Sequence, residues 1–219
     1  ALPADATRVW GVFAHDHTFN DRPEEALREA GLPHYVPTAP TIAEMGEVAL
    51  RILSRAPQGF FLVAEEEGTD NFGNNNNAAG SLEAGVRADA AIGVFQRFVQ
   101  ANPGTLMLTT ADSDAGGMQV IGPGAAQQVI RAGQPLPERD RNGSPLDGAT
   151  GTRGEPFLSA PDRNGVRHPF AISWSTLTDV SGGILVRGAG LNSEFITGTR
   201  DNVDVYRIMY RTMFGEVVN

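Results

Sequence analysis

The stretch Gly59-Phe60-Phe61-Leu62-Val63-Ala64-Glu65-Glu66-Glu67 decides the fold, because an unbroken apolar run passes directly into three acidic residues. A continuous apolar run of this length is typical of a strand that is covered on both faces. The stretch Thr105-Leu106-Met107-Leu108-Thr109-Thr110-Ala111-Asp112 repeats the pattern. The sequence therefore predicts two buried strands, over 59–65 and 105–111, that both end at carboxylates.

A long helix is predicted between the two strands, over about 78–101, and Asn102-Pro103-Gly104 ends it. A strand–helix–strand unit of this kind indicates a right-handed parallel crossover. The predicted fold class is therefore α/β with a parallel sheet. The residues expected on the buried face of this helix are Leu82, Val86, Phe95, Phe98 and Val99.

Two further helices are indicated by their first residues. Thr41 and Glu44 have the spacing of a capping box, in front of a helix over 42–55. Asp201 and Asn202 cap a last helix that runs to about Phe214. Its apolar positions, which we expect to face the core, are Val203, Tyr206, Met209 and Met213.

The chain divides by composition. Half of its 14 prolines lie between Pro123 and Pro169, among many glycines. We predict a core formed by 1–115 and 170–219, and an insertion or flexible subdomain over 116–169. Short strands are expected at 170–173 and 184–186.

Composition excludes several classes of function. The chain of 219 residues has a net charge of −9, which argues against nucleic acid as a partner. It contains no cysteine, which excludes thiol catalysis, disulfides and cysteine-ligated zinc. No apolar run reaches the roughly 18 residues that a membrane-spanning helix needs.

Acidic residues follow both predicted strands, and open α/β sheets bind ligands beyond the carboxyl ends of their strands. Glu65, Asp70 and Asp112 could converge there. Carboxylate oxygens suit Mg²⁺ or Ca²⁺, and carboxylates mixed with imidazoles suit Zn²⁺. The alternative is that these acids are solvated loop residues or helix caps. His15 and His17 can be interpreted in two ways as well. They are either a pair of metal ligands or solvated histidines on a loop.

Several motifs resemble the carboxy-terminal half of alkaline phosphatases. In chain order they are Pro40-Thr41-Ile42-Ala43-Glu44-Met45, Gly59-Phe60-Phe61-Leu62-Val63, Asp70-Asn71-Phe72-Gly73-Asn74-Asn75-Asn76-Asn77-Ala78-Ala79-Gly80 and Thr109-Thr110-Ala111-Asp112. The run 9–14 and the helix start at 201–206 are similar to family segments as well, so the resemblance covers nearly all of the chain outside 116–169. It implies a parallel-sheet half domain, a periplasmic or extracellular location, and hydrolysis of phosphate monoesters with two Zn²⁺, one Mg²⁺ and a phosphoserine intermediate.

The resemblance also implies a metal site. It places Glu65 at the magnesium carboxylate and Asp70 and Asp112 at one zinc each. At the family's histidine ligands this sequence has Asn74, Ser113 and, in the best alignment, Asp179. Neutral amide and hydroxyl oxygens are poor zinc ligands. The remaining set is either an all-oxygen Mg²⁺ or Ca²⁺ cluster or an empty, hydrogen-bonded site.

The family's nucleophilic serine, phosphate-binding arginine and bridging aspartate belong to an amino-terminal half that these residues do not include. Two hypotheses follow. The chain is a phosphomonoester hydrolase completed by a second chain that carries that half, or it is a non-catalytic binding or structural subunit, with a homo-oligomer as the other expected assembly.

Overall fold

Five α-helices and seven short strands make up the part of the chain that the computed structural model describes, which is residues 3, 5–14, 16–122 and 130–216. The helices are α1 (Glu24–Ala30), α2 (Ile42–Leu53), α3 (Gly68–Asn74), α4 (Ala78–Ala101) and α5 (Asn202–Phe214). The strands are β1 (Leu106–Thr109), β2 (Gln119–Ile121), β3 (Leu146–Gly148), β4 (Gly151–Thr152), β5 (Phe157–Leu158), β6 (Pro169–Ser173) and β7 (Arg187–Gly190).

Helix starts follow the sequence closely. The Thr41 hydroxyl accepts from the amide of Glu44 while the Glu44 carboxylate accepts from the amide of Thr41, which confirms the predicted capping box of α2. Asp201 and Asp204 form the same arrangement at α5. Helix α4 begins and ends where it was predicted, and α2 and α3 pack against it. None of the described helices combines the length and the hydropathy that crossing a bilayer requires.

The strands form two sheets, and every pairing among the described residues is antiparallel. Strand β1 pairs with β7, with Leu106 opposite Gly190 and Thr109 opposite Arg187. The other sheet has the order β2-β6-β3-β4, and β5 also pairs with β6. The structure is therefore mixed α/β as predicted, but the predicted parallel sheet is not shown.

The deciding stretch differs most from the prediction. Residues 59–65 do not form a strand, and no described residue pairs with them in a sheet. Phe61 is 56% exposed and Val63 is 73% exposed, so the predicted burial on both faces is wrong. The segment 8–14 is also unpaired, and its Trp10 is 93% exposed. An apolar run indicates a segment that is normally buried by other residues. It does not indicate whether those residues belong to the same part of the chain.

Two helix faces also differ from the prediction. In α4, Leu82 and Val86 are exposed, whereas the buried apolar side chains are Ala78, Ala84, Ala91, Val94 and Val99. In α5, Ile208 is buried, while Val203, Tyr206 and Met213 are about half exposed. Both helices therefore pack on one side and leave large apolar residues on the other.

The stretch 116–169, insofar as it is described, is built on short strands with a buried cluster of their own. This cluster consists of Ile130, Leu136 and Leu146 together with Ala171, which lies on β6 beyond residue 169. Trp174 and Ile172 then pack on Ala78, which joins this sheet to the first turn of α4. The division of the chain into a core and an insertion stays a prediction.

Candidate functional site

Three segments bring the predicted site residues together. Helix α3 carries Asp70 and Asn74, which share a face because they are four positions apart. The turn after β1 supplies Ser113, and the loop after β6 supplies Asp179. The convergence expected from the resemblance is therefore present for these four residues.

The side-chain amide of Asn74 lies at the centre of this cluster. Its Nδ2 donates to Oδ1 of Asp179 at 2.8 Å and to Oδ2 of Asp70 at 3.2 Å. Its Oδ1 accepts from the backbone amide of Gly116 at 3.1 Å. The Ser113 hydroxyl donates to the second oxygen of Asp70 at 3.4 Å. We call these four side chains, Asp70, Asn74, Ser113 and Asp179, the amide-centred cluster.

Electrostatic repulsion is built into the cluster. Partial burial raises the pKa of Asp70 above its ordinary value, and the charges of Asp179 and Asp112 raise it further. The Ser113 hydroxyl works in the opposite direction, because it donates to the carboxylate. Asp112 is exposed and acts on Asp70 through its charge.

Glu65 is exposed and makes no hydrogen bond to the amide-centred cluster among those that define it. Its carboxyl group interacts with that of Glu67, whose pKa is raised by burial and then by the charges of Glu65 and Asp70. His17 lowers the pKa of Glu67 and so also lies near this edge. Glu67 was missed in the sequence, where the only signal was its place in the acidic run 65–67. His15 lies outside the described residues.

Glu66 is held by hydrogen bonds to two residues of the core side of this segment. The Tyr35 hydroxyl donates to Glu66 at 2.7 Å, and the backbone amide of Gly68 donates to the same oxygen at 3.3 Å. The guanidinium of Arg87 lies 3.6 Å from the centre of the Tyr35 ring. These contacts fix the backbone between Glu65 and α3.

A close backbone contact fixes the side of the amide-centred cluster formed by the end of α3 and the turn after β1. Gly116 has φ +67°, and a Cβ added there would lie 2.2 Å from the carbonyl oxygen of Gly73. Only glycine permits this approach without strain, so the end of α3 and the turn after β1 are held together.

The donor set does not fit zinc. Among the residues that the structure describes, no group of three or more His, Asp or Glu side chains is arranged to hold a metal ion. Asn74 directs N–H groups, not an oxygen, at the carboxylates of Asp70 and Asp179. An N–H donor cannot coordinate a cation, and the positions of Asn74 and Ser113 offer no imidazole.

Comparison with known proteins agrees with the resemblance seen in the sequence. The sequence model of the alkaline phosphatase family matches residues 4–146, more than half of the chain. The alkaline phosphatase of Escherichia fergusonii is 32% identical over 116 residues, which is 53% of this chain and 24% of that protein. The tissue-nonspecific alkaline phosphatase of Rattus norvegicus is 40% identical over 75 residues, or 34% of this chain and 14% of that protein.

Solved structures share the fold. A cold-active alkaline phosphatase from Shewanella sp. matches with a TM-score of 0.59 and 18% identity, covering 81% of this chain and 51% of that one. A mutant of the TAB5 alkaline phosphatase with Mg bound in its M3 site matches with a TM-score of 0.56 and 18% identity, covering 78% and 41%. The chain thus spans about half or less of the proteins it matches.

Proposed function

This chain belongs to the alkaline phosphatase family, and we propose that the polypeptide described here does not hydrolyse phosphate monoesters by itself. In this proposal the cluster that family resemblance assigns to zinc is closed by hydrogen bonds instead. One observation carries the proposal, the donation of the Asn74 amide to both Asp70 and Asp179.

The hydrogen bonds of the Asn74 side chain support a chain without phosphatase activity of its own. Two carboxylates that bind a metal ion need it to offset their mutual repulsion, and here N–H groups offset part of it. The amide oxygen of Asn74 already accepts from the Gly116 amide, so turning it towards a cation would leave that backbone N–H with only its longer bond, at 3.3 Å, to the carbonyl oxygen of Thr178. Without zinc, the family reaction lacks the metal that activates its nucleophile and neutralises its leaving group.

An activity assay tests this proposal. The purified chain is incubated with p-nitrophenyl phosphate at alkaline pH, with added Zn²⁺ and Mg²⁺ and with or without a chelator. We expect no turnover above the rate of buffer alone. Hydrolysis that a chelator removes and that Asp70→Asn abolishes would overturn it, whereas hydrolysis that survives Asp70→Asn would point to a contaminating enzyme.

A second candidate is an all-oxygen site for Mg²⁺ or Ca²⁺ formed by Glu65, Asp70, Asn74, Asp112, Ser113 and Asp179. The observation that favours it is the crowding of carboxyl groups, whose charges add to the effect of burial in raising the pKa of both Asp70 and Glu67. A divalent cation would relieve that repulsion. Isothermal titration with each ion decides between the two, because saturable heat that Asp70→Asn removes would support the cation site.

Two apolar segments of the chain, 8–14 and 59–64, pair with no strand among the described residues. We propose that the amino-terminal half of an alkaline phosphatase fold packs against these two edges. The apolar, unpaired segments 8–14 and 59–64 present Trp10, Phe61 and Val63 to solvent. Exposed apolar runs with free backbone groups are suited to pairing with additional strands. The half could belong to the same polypeptide or to a second chain, in the periplasmic or extracellular space that the family resemblance implies.

Trp10 provides the measurement for this assembly. The chain has two tryptophans, of which Trp174 is 1% exposed and Trp10 is 93% exposed. In a Trp174→Phe variant, the emission of Trp10 should shift to shorter wavelength when the amino-terminal half is co-expressed and co-purified. An unchanged emission in a stable complex would contradict the proposed edge. A homo-oligomer, detected by sedimentation of the chain alone, would assign the same edge to a second copy.

A further inference from the structure

The first turn of α4 is capped by three side chains, two of which come from distant segments. The amide of Ala78 donates to Oδ2 of Asp147 at 2.9 Å, and the amide of Ala79 donates to Oε1 of Glu24 at 3.0 Å. The amide of Gly80 donates to Oδ1 of Asn77 at 2.6 Å. All three free N–H groups of the helix start are therefore occupied, which leaves no place there for an external anion.

Two of these caps are buried carboxyl groups. Glu24 is 7% exposed and Asp147 is 1% exposed. Two ionised carboxylates side by side in such a place would be strongly unfavourable, because both would lose water and repel each other. We propose that Glu24 and Asp147 share one proton and form a latch that holds the β3–β4 hairpin on α4, and that alkaline solution weakens this hold.

The geometry assigns the proton. Asp147 accepts from two backbone amides, since Gly148 donates to its Oδ1 at 3.1 Å while Ala78 donates to its Oδ2. Glu24 accepts from the amide of Ala79 and from its own backbone amide, whereas Asp147 also accepts from the Glu24 side chain in addition to its two amides. The carboxyl with more donors is the better anion, so Glu24 carries the proton and Asp147 carries the charge beside the positive end of the α4 dipole.

The pKa values agree with this assignment. Burial raises the pKa of Glu24 to about 8, and the charge of Asp147 contributes to that rise. Burial raises the pKa of Asp147 to about 6, against the hydrogen bonds from Ala78, Glu24 and Gly148. Between the two values the pair holds one proton. Above the higher value that proton leaves to solvent, and two charges remain in a buried site.

The sign of the pH effect follows. Between the ordinary glutamate pKa of 4.5 and about 8, the folded chain binds a proton that the unfolded chain has released. The free energy of unfolding therefore falls as pH rises through this window and levels off above it. The latch is closed at acidic and neutral pH.

Other charged groups face the pair but keep their own partners. From α1, the Glu25 carboxylate accepts from the amide of Thr152 at 2.7 Å, and Arg28 donates to the carbonyl of Thr150. Arg22 approaches through its carbonyl oxygen, which accepts from Asn77. The first turn of α4 has no acidic residue, and strands β3, β4 and β6 carry no charged side chain except Asp147. The contacts of Glu25 and Arg28 remain in alkaline solution, so the hairpin loosens without leaving.

Trp174 reports on this junction, because it packs with Ile172 on Ala78. In a Trp10→Phe background, acrylamide quenching of Trp174 should increase several-fold between pH 6 and pH 9.5, with a midpoint near 8. Glu24→Gln keeps a donor and an acceptor but cannot ionise, so its quenching should stay constant with pH. Glu29→Gln, an exposed position on the same helix, should behave like the parent. Equal pH dependence in the parent and Glu24→Gln would overturn the proposal.

A second measurement does not depend on any variant folding. Carbon-detected NMR of the side-chain carboxyl groups in the full chain should show one glutamate that titrates near pH 8, far from the ordinary 4.5. A spectrum in which every glutamate titrates below pH 6 would equally overturn the latch.

Discussion

Asn74 and Asp179 lie 105 positions apart in the sequence, and the Nδ2 of Asn74 donates to Oδ1 of Asp179 across 2.8 Å. This bond ties α3 to the loop that follows β6. The family resemblance implies a histidine at both positions, and here the two side chains contact each other directly. A hydrogen bond of this kind needs no cofactor to form.

Asn74→Ala should lower the free energy of unfolding by about 1–3 kcal/mol, because two carboxylates lose their shared donor and the Gly116 amide loses one of its two acceptors. The loss should be smaller at pH 4 than at pH 7, since protonated carboxyls repel less. Asn75→Ala, next to it on the chain and bonded to Asp21 instead, should cost about 1 kcal/mol or less. Urea denaturation at both pH values measures this, and equal losses in the two variants would refute a special role for Asn74.

Histidines at the three positions where this sequence differs from the family's histidine ligands should give the chain zinc affinity. The combined variant Asn74→His, Ser113→His and Asp179→His would add imidazoles to Asp70 and Asp112, a mixture that zinc binds well. We expect saturable Zn²⁺ binding in calorimetry for this variant and none for the natural sequence. In the matched control the first change is moved to Asn75→His, which should bind zinc more weakly. Tight zinc binding by the natural sequence would contradict the closed cluster.

Tyr35→Phe should destabilise the chain by about 1–2 kcal/mol at neutral pH, because the buried hydroxyl donates to the Glu66 carboxylate. Burial and this bond raise the pKa of Tyr35 above its ordinary 10. The stabilisation is therefore complete below pH 10 and is lost as pH rises beyond it. In the phenylalanine variant this alkaline loss should shrink. Tyr206→Phe, at a half-exposed position, should change stability by only about 0.5 kcal/mol.

Gly116→Ala should be among the most damaging small substitutions. The added Cβ would meet the Gly73 carbonyl at 2.2 Å and would sit at a positive φ. The strained backbone alone costs about 1–3 kcal/mol. Gly122→Ala is the comparison, because nothing lies within 4 Å of its added Cβ and its φ is not in the strained range. Thermal unfolding of the two variants should differ by several degrees, and similar melting temperatures would be inconsistent with this contact.

Local signals predict three of the five described helices, α2, α4 and α5, and do not predict the short helices α1 and α3. The capping pair Thr41–Glu44 and the cap at Asp201 depend on residues within one turn, so they can be recognised without the rest of the fold, whereas the pairing of Asp201 with Asp204 is seen only in the structure. The predicted bounds of α4 held for the same reason, since Asn77 and Pro103 flank it. Burial was harder to predict, because Phe61 and Val86 are apolar at the expected spacing and are nevertheless exposed. Periodicity indicates which face of an element is apolar, but it does not indicate which other residues pack against that face.

The candidate site was predicted in part. Asp70, Asn74, Ser113 and Asp179 do converge, which the order of motifs indicated. Glu67 was missed because three adjacent glutamates look alike until the backbone assigns each a direction. The buried partnership of Glu24 with Asp147 gave no signal at all, since it joins segments that are distant in sequence and depends on tertiary packing.

The unpaired backbone of 59–64 sets a limit on how this polypeptide behaves when it is handled alone. An apolar segment that pairs with no strand is a template on which an identical segment of another molecule can add. Phe61 and Val63 would then face their counterparts in a growing stack. The concentration at which the isolated chain stays dispersed is therefore governed by these few residues, and a lysine at Val63 should raise it without touching the amide-centred cluster.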